Sequence, residues 1–282
     1  MRLFRARYLT AAVGALAAVG LLATSNSVFA GSAPPTDKDT VGVYVAATRA
    51  FFLRNVNSAG TAALKFKFGP TGSTPLVGDY DNSGSDTIGA FQASTGRFFL
   101  RNTNNEGSTG NLVVQYGSVP ANGLPLVGDW DGANGDSVGI FDPVKGRFLL
   151  RNTNNGGNAQ IETRFGRRNL SPAYVALRGN WSGGDSIDGI GLYDPATSTF
   201  FLKNDPSTEG PADFTFRFGD GGLGLVPVVG NWDDNDTDTV GLYDPATRYF
   251  FIKNTLSDGP PDASFRYGPT GATPIAGNYD NN

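Results

Sequence analysis

Pro125-Leu126-Val127-Gly128-Asp129-Trp130-Asp131 opens a stretch that runs on through Asp136-Ser137-Val138-Gly139-Ile140-Phe141 and Arg147-Phe148-Leu149-Leu150-Arg151-Asn152, closing at Thr163-Arg164-Phe165-Gly166. The chain writes this pattern five times. An aspartate three residues ahead of a glycine marks each copy, at Asp39, Asp86, Asp136, Asp188 and Asp238, with spacings of 47, 50, 52 and 50 residues. A period in this range means stacked supersecondary units rather than one irregular core.

Each copy holds four strand-length runs; in the second they cover 75–80, 87–91, 97–102 and 112–116. Asp194-Pro195-Ala196-Thr197 and Asp244-Pro245-Ala246-Thr247 put proline where a type I turn wants it, behind an aspartate, so adjacent runs fold back as hairpins. The last run alternates apolar with polar, as Leu64, Phe66 and Phe68 do against Lys65 and Lys67. Charges on one face of a strand protect a free sheet edge, so this run is expected outermost. A glycine recurs inside the second run, at Gly42, Gly89, Gly139, Gly191 and Gly241, where a ring or backbone of a facing sheet is expected to come close.

Four antiparallel strands repeated five times predict an all-β, five-bladed β-propeller over residues 37–282. The pattern is out of phase with the two ends. Residues 37–44 begin in a second run that lacks its first, and residues 274–282 are a first run that lacks the rest. One blade is therefore expected to take its C-terminal strand and its three N-terminal strands from opposite ends of the chain.

Residues 1–30 read as a secretory signal, because Arg2, Arg5 and Arg7 precede an apolar run that ends in Val28-Phe29-Ala30; 31–36 form a short linker. That run is short against the roughly 20 residues needed to cross a bilayer, so secretion is expected rather than membrane insertion. Losing the leader's arginines takes the net charge from −4 to −7, which disfavours nucleic acid as a partner. The chain has no cysteine and no histidine. Disulfides, thiol nucleophiles, serine or cysteine triads that rely on histidine and the usual zinc sets are all excluded. Of 26 acidic side chains, all but Glu106, Glu162 and Glu209 are aspartates.

The acidic loops and the run behind each resemble the FG-GAP/VCBS repeats of integrin α-subunit propellers and secreted bacterial proteins. In that family a loop between the first two strands of a blade carries alternating aspartates that hold calcium. The resemblance spans residues 37–282 and implies Ca2+ ligands Asp79, Asp81, Ser83 and Asp86 in one loop, Asp129, Asp131 and Asp136 in the next, and Asn231, Asp233, Asn235 and Asp238 in the fourth. The central aspartate of the family pattern is replaced here, and the loop 180–188 is poor in ligands. Metal-free Asx turns are the other reading of the same residues. A further, split loop could join Asn278, Asp280 and Asn282 to Asp37 and Asp39 across the chain ends.

One aromatic sits in each loop, Tyr80, Trp130, Trp181, Trp232 and Tyr279, and its recurrence points to packing between blades rather than to a sugar platform. Arg54, Arg101, Arg151, Lys203 and Lys253 recur in the third run, where the stem is expected to cover a ring on its own strand, such as Phe99 beside Arg101. Specificity is expected where copies differ, in 104–108, 205–209, 220–224 and the segment around Arg167, Arg168 and Tyr174. These features predict a secreted, monomeric, non-enzymatic adhesion or lectin-like module that binds an extracellular glycan or protein. A glycoside hydrolase using paired carboxylates and a cell-envelope structural protein are the alternatives.

Overall fold

The computed structural model describes residues 38–107, 109–133, 135–166, 174–183 and 187–280. The predicted leader and linker, Asp37, Asn134, the 167–173 segment and Asn282 lie outside them. Blade I contains β1 (Thr40–Val45), β2 (Ala50–Leu53) and β3 (Leu64–Lys67). Blade II follows as β4 (Thr74–Gly78), β5 (Thr87–Gln92), β6 (Arg97–Leu100) and β7 (Leu112–Gln115). Blade III is β8 (Leu124–Gly128), β9 (Ser137–Asp142), β10 (Arg147–Leu150) and β11 (Ile161–Arg164). Blade IV is β12 (Val175–Gly179), β13 (Gly189–Asp194), β14 (Thr199–Lys203) and β15 (Phe214–Arg217). Blade V is β16 (Val226–Gly230), β17 (Thr239–Asp244), β18 (Tyr249–Ile252) and β19 (Ala263–Arg266), and β20 (Thr273–Gly277) returns to complete blade I in the order β20-β1-β2-β3.

The molecule is a five-bladed β-propeller of four-stranded antiparallel blades. Closure is made by Thr40↔Gly277 through Tyr44↔Thr273, so the two chain ends share one sheet as their phase requires. The inner strand of blade II stops at Gly78, two residues before the predicted end, because the backbone at Asp79 turns into the acidic loop.

Adjacent blades are glued by shared apolar cores. Tyr80, Phe91, Phe98 and Val114 of blade II, for example, pack with Val127, Val138 and Ile140 of blade III. Inside each blade an aromatic on the second strand meets one on the third, from Phe91–Phe98 at 4.5 Å to Tyr44–Phe51 at 4.7 Å. Such pairs add about 1 kcal/mol each to the burial of their surface. The recurrent glycines serve this packing differently from the expectation. A Cβ on Gly139 would lie 2.7 Å from Leu150 Cδ2, and Gly42 and Gly191 also face leucines of their own third strand. The tightest crowding is thus mostly with the blade's own strands, and loop aromatics join it at three positions: Tyr80 Oη lies 2.6 Å from where a Cβ on Gly89 would be, and Trp130 and Trp232 lie 3.5 and 3.7 Å from those on Gly139 and Gly241.

The outermost strands expose Lys65 and Lys67 on β3 and Thr215 and Arg217 on β15, as their alternation predicts. Their ends are also tied sideways: Phe68 bridges to Gly107 and Tyr116 to Gly157, each in the next blade's peripheral loop. Those bridges shorten the free edge that another chain could extend.

Candidate functional site: an axial carboxylate ring and cavity

Inner strands β4, β8, β12, β16 and β20 surround the propeller axis. At its second position each carries proline (Pro75, Pro125, Pro227 and Pro274), except β12, which has Ala176. An inner strand has an unpaired edge toward the axis, where proline forfeits no ladder hydrogen bond and offers no N–H to an intruding strand. Together these strands line an open cavity of about 260 Å³ whose wall is mostly aliphatic and whose one charged lining residue, among the described residues, is Arg178. The fourth position of the inner strand is Val77, Val127, Val229 and Ala276 in the other blades and arginine only in β12. Arg178 Nη2 donates to the Val77 carbonyl at 3.4 Å across the axis, so its guanidinium spans the channel.

Below it stand the five marker aspartates, and each binds the loop of the preceding blade rather than its own. Asp136 Oδ2 accepts the Asp79 N–H at 3.2 Å while the Asp136 N–H donates to the Asp79 carbonyl at 2.7 Å. The same pair of hydrogen bonds joins Asp188 to Asp129, Asp238 to Asn180, Asp39 to Asn231 and Asp86 to Asn278. Every blade junction is therefore latched, including the one that closes the chain ends. The Gly-Asp pairing of the repeat follows from this contact. A Cβ on Gly78 would lie 2.2 Å from Asp136 Oδ2, and one on Gly277 would lie 2.6 Å from Asp86 Oδ2. In blades I to III an asparagine three residues behind the third-strand cation braces the latch: Asn57, Asn104 and Asn154 each donate to the carbonyl of the ring aspartate.

Arg178 lies 3.7 Å from Asp136, 3.5 Å from Asp188 and 3.9 Å from Asp238. Burial works to lower its pKa, and the surrounding aspartates outweigh that and hold it charged. Five carboxylates face one cation, so their burial is only partly offset. Burial pushes Asp86 up to about 6 and Asp188 up to about 7, with Arg178 pulling both down. Asp136 and Asp238 are raised by the same burial against the same arginine. Asp39 is raised well above the usual carboxylate range by burial first and by Asp86 and Asp238 next.

The residues assigned to calcium by the resemblance are placed as follows. Asp79 accepts the Ser83 and Gly84 N–H groups at 2.9 and 2.7 Å, Asp129 accepts that of Gly132 at 2.8 Å, and Asn231 accepts those of Asp234 and Asn235 at 2.9 and 3.1 Å. These are Asx-type turns closing the loops. Asp81, Asp131, Asp233, Ser83 and Asn235 are exposed on the loop surface. Asp86, Asp136 and Asp238 face the axial ring instead of their own loops, so the fit to a family-type calcium cage is poor. Among the described residues no group of three acidic side chains is arranged to hold a metal ion. The split loop expected across the chain ends lies partly outside the described residues, at Asp37 and Asn282; within them Asp39 accepts the Asn231 N–H and Asp86 that of Asn278.

The loop aromatics are buried, from Tyr80 at 8 % exposed to Tyr279 at 1 %, in keeping with packing between blades. Two of the third-strand cations reach the neighbouring blade rather than their own strand. Arg101 lies over Phe68 and Arg54 over Tyr267, each 5.6 Å from the ring centroid, while Arg54 and Arg151 also hold the carbonyls of Thr61 and Asn158 in the peripheral loops. Arg178 itself escaped the sequence reading. Its signal was present in the repeat, as one arginine in register with three valines and an alanine.

Compared with models of known protein families and with curated proteins, this chain matches none.

Proposed function

We propose that this chain is a secreted, non-enzymatic binding module of the FG-GAP/VCBS type that receives a small neutral group of an extracellular glycan or protein in its axial cavity. The observation that carries the reading is the broken symmetry of that cavity. Four blades contribute a proline and an aliphatic residue, while β12 contributes Ala176 and Arg178, and such a one-sided polar group in an apolar cup is how a site fixes a ligand's orientation. At about 260 Å³ the cup is below the roughly 300–1,000 Å³ of sites for drug-sized ligands, so it suits one ring or side chain rather than an extended polymer.

Against hydrolysis, Glu106, Glu162 and Glu209 are all exposed at the periphery, Glu162 against Arg147 at 3.3 Å. The ring aspartates already accept backbone N–H groups. Calcium enters this reading on the sequence pattern alone, and it would have to compete with the backbone donors that Asp79, Asp129 and Asn231 now hold.

A glycan array probed with and without millimolar calcium, using the native chain and an Ala176→Trp variant that fills the cup, tests the proposal. Binding lost in the variant supports it. Binding kept there moves the site to the peripheral loops, and release of reducing sugar from polysaccharide would make the chain a hydrolase.

A further inference from the structure

Strand register decides which backbone groups look into the cup. In blade II the Arg101 N–H donates to the Ile88 carbonyl and the Ile88 N–H donates to Asn104 Oδ1, so both backbone groups of Ile88 point toward the third strand and its loop. Its partner on β4, Val77, therefore sits in a non-hydrogen-bonded pair and turns its own N–H and C=O away from β5, toward the axis. Arg178 meets the Val77 carbonyl there. The carbonyls of Val41, Val138 and Val240 accept from Arg54, Arg151 and Lys253 in the same way, and Ile190 holds the same place in blade IV. Alternation along the inner strand gives the same outlook to the residue two before. Pro75, Pro125, Ala176, Pro227 and Pro274 thus each aim a carbonyl at the axis.

The cup is collared at that level by a backbone oxygen from every blade. Proline has no N–H, so four of the five strands offer only an acceptor, and Ala176 of β12 supplies the one donor. One step deeper, Arg178 stands within 3.9 Å of Asp136, Asp188 and Asp238.

This arrangement sorts ligands by hydrogen-bond polarity. A carboxylate or a phosphate brings only acceptors, meets the carbonyl collar, and finds the arginine already ringed by three carboxylates. An ammonium group brings only donors, leaves the Ala176 N–H unanswered, and approaches the charge of Arg178. A hydroxyl group both donates and accepts.

We propose that the cup selects a neutral, hydroxyl-bearing pyranose of a glycan, which donates to the carbonyl collar and accepts from the Ala176 N–H, and that it rejects acidic sugars even though an arginine lines it. The inference rests on the cup being the binding site, as proposed above, and adds the class of sugar and the backbone atoms that read it. A site built to pair hydroxyls discriminates strongly against groups that leave its polar atoms unpaired.

Saturation-transfer NMR titrations of the full chain with a panel of methyl hexopyranosides, their uronides and their 2-amino-2-deoxy counterparts read this selectivity. A neutral hexoside binds, its uronide and amino counterparts bind at least about tenfold more weakly, and acetate does not displace it. Ala176→Pro copies the other four blades and deletes an N–H that the ladder does not use, whereas Ala176→Val adds similar bulk and keeps that N–H. The proline variant weakens hexoside binding about tenfold and the valine variant leaves it within about twofold. Should Ala176→Pro fail to fold, the comparison of hexoside with uronide on the native chain still decides. Uronides bound as tightly as hexosides, displacement by acetate, or equal weakening in the proline and valine variants overturns the inference, and if Ala176→Trp still blocks binding the cup remains the site. Binding that survives Ala176→Trp removes the cup as the site, and this inference with it.

Discussion

Asp136 has two obligations, to hold the backbone of Asp79 and to share Arg178 with Asp188 and Asp238. The first explains why an aspartate recurs in every copy; the second exists only because one inner strand carries an arginine. Replacing it by Arg178→Met keeps the stem and removes the charge, which strands several carboxylates without a cation. Breaking a buried pair in this way costs about 3 kcal/mol. The penalty depends on pH in a direction opposite to ordinary acid denaturation. Asp86 at about 6 and Asp188 at about 7 lie above their unfolded values, so the folded state binds protons more tightly. Their contribution is intact below about pH 4 and is lost as pH rises through 6 to 7. Melts in choline buffer are therefore expected to show the native chain less stable at pH 8 than at pH 5, and the Arg178→Met deficit larger at pH 8. A deficit independent of pH would mean the guanidinium acts by packing alone.

Single strands show how far periodicity carries. Alternation identified the outer strands, and recurrence identified the second-strand glycines as sites of close approach. What comes close was not legible, because the nearest atom belongs to a cross-strand partner set by register. Gly139 pairs with Leu150, whose Cδ2 lies 2.7 Å from where a Cβ would sit, and Leu150 is fully buried. Gly139→Ala is expected to overpack blade III and to cost about 1–3 kcal/mol. A urea titration should show a lower midpoint at an unchanged slope. The acidic loops are the harder case at this scale. Alternating carboxylates read equally well as metal ligands or as turn-closing acceptors, and the choice depends on which way Asp86, Asp136 and Asp238 face.

For the whole ring, closure is the property on which stability turns. Removing residues 274–282 deletes most of β20 and with it Ile275 and Tyr279 from the core shared by blades I and II, as well as the Asn278 latch to Asp86. The truncated chain is expected to unfold cooperatively at ambient temperature, whereas a melting curve unchanged by the deletion would describe an open array. Five copies, four alternating runs in each, and two ends out of phase were enough to determine the propeller, its blade number and the strand that closes it. Those are properties of period, and period is written along the chain. The axial site was decided elsewhere. Asp136 meets Asp79 across 57 residues and Asp39 meets Asn231 across 192, on neighbouring blades whose loops looked self-contained. Which carboxylates converge, and that Arg178 stands among them, depends on five inner strands meeting at one axis, a relation among blades that no single copy of the repeat contains.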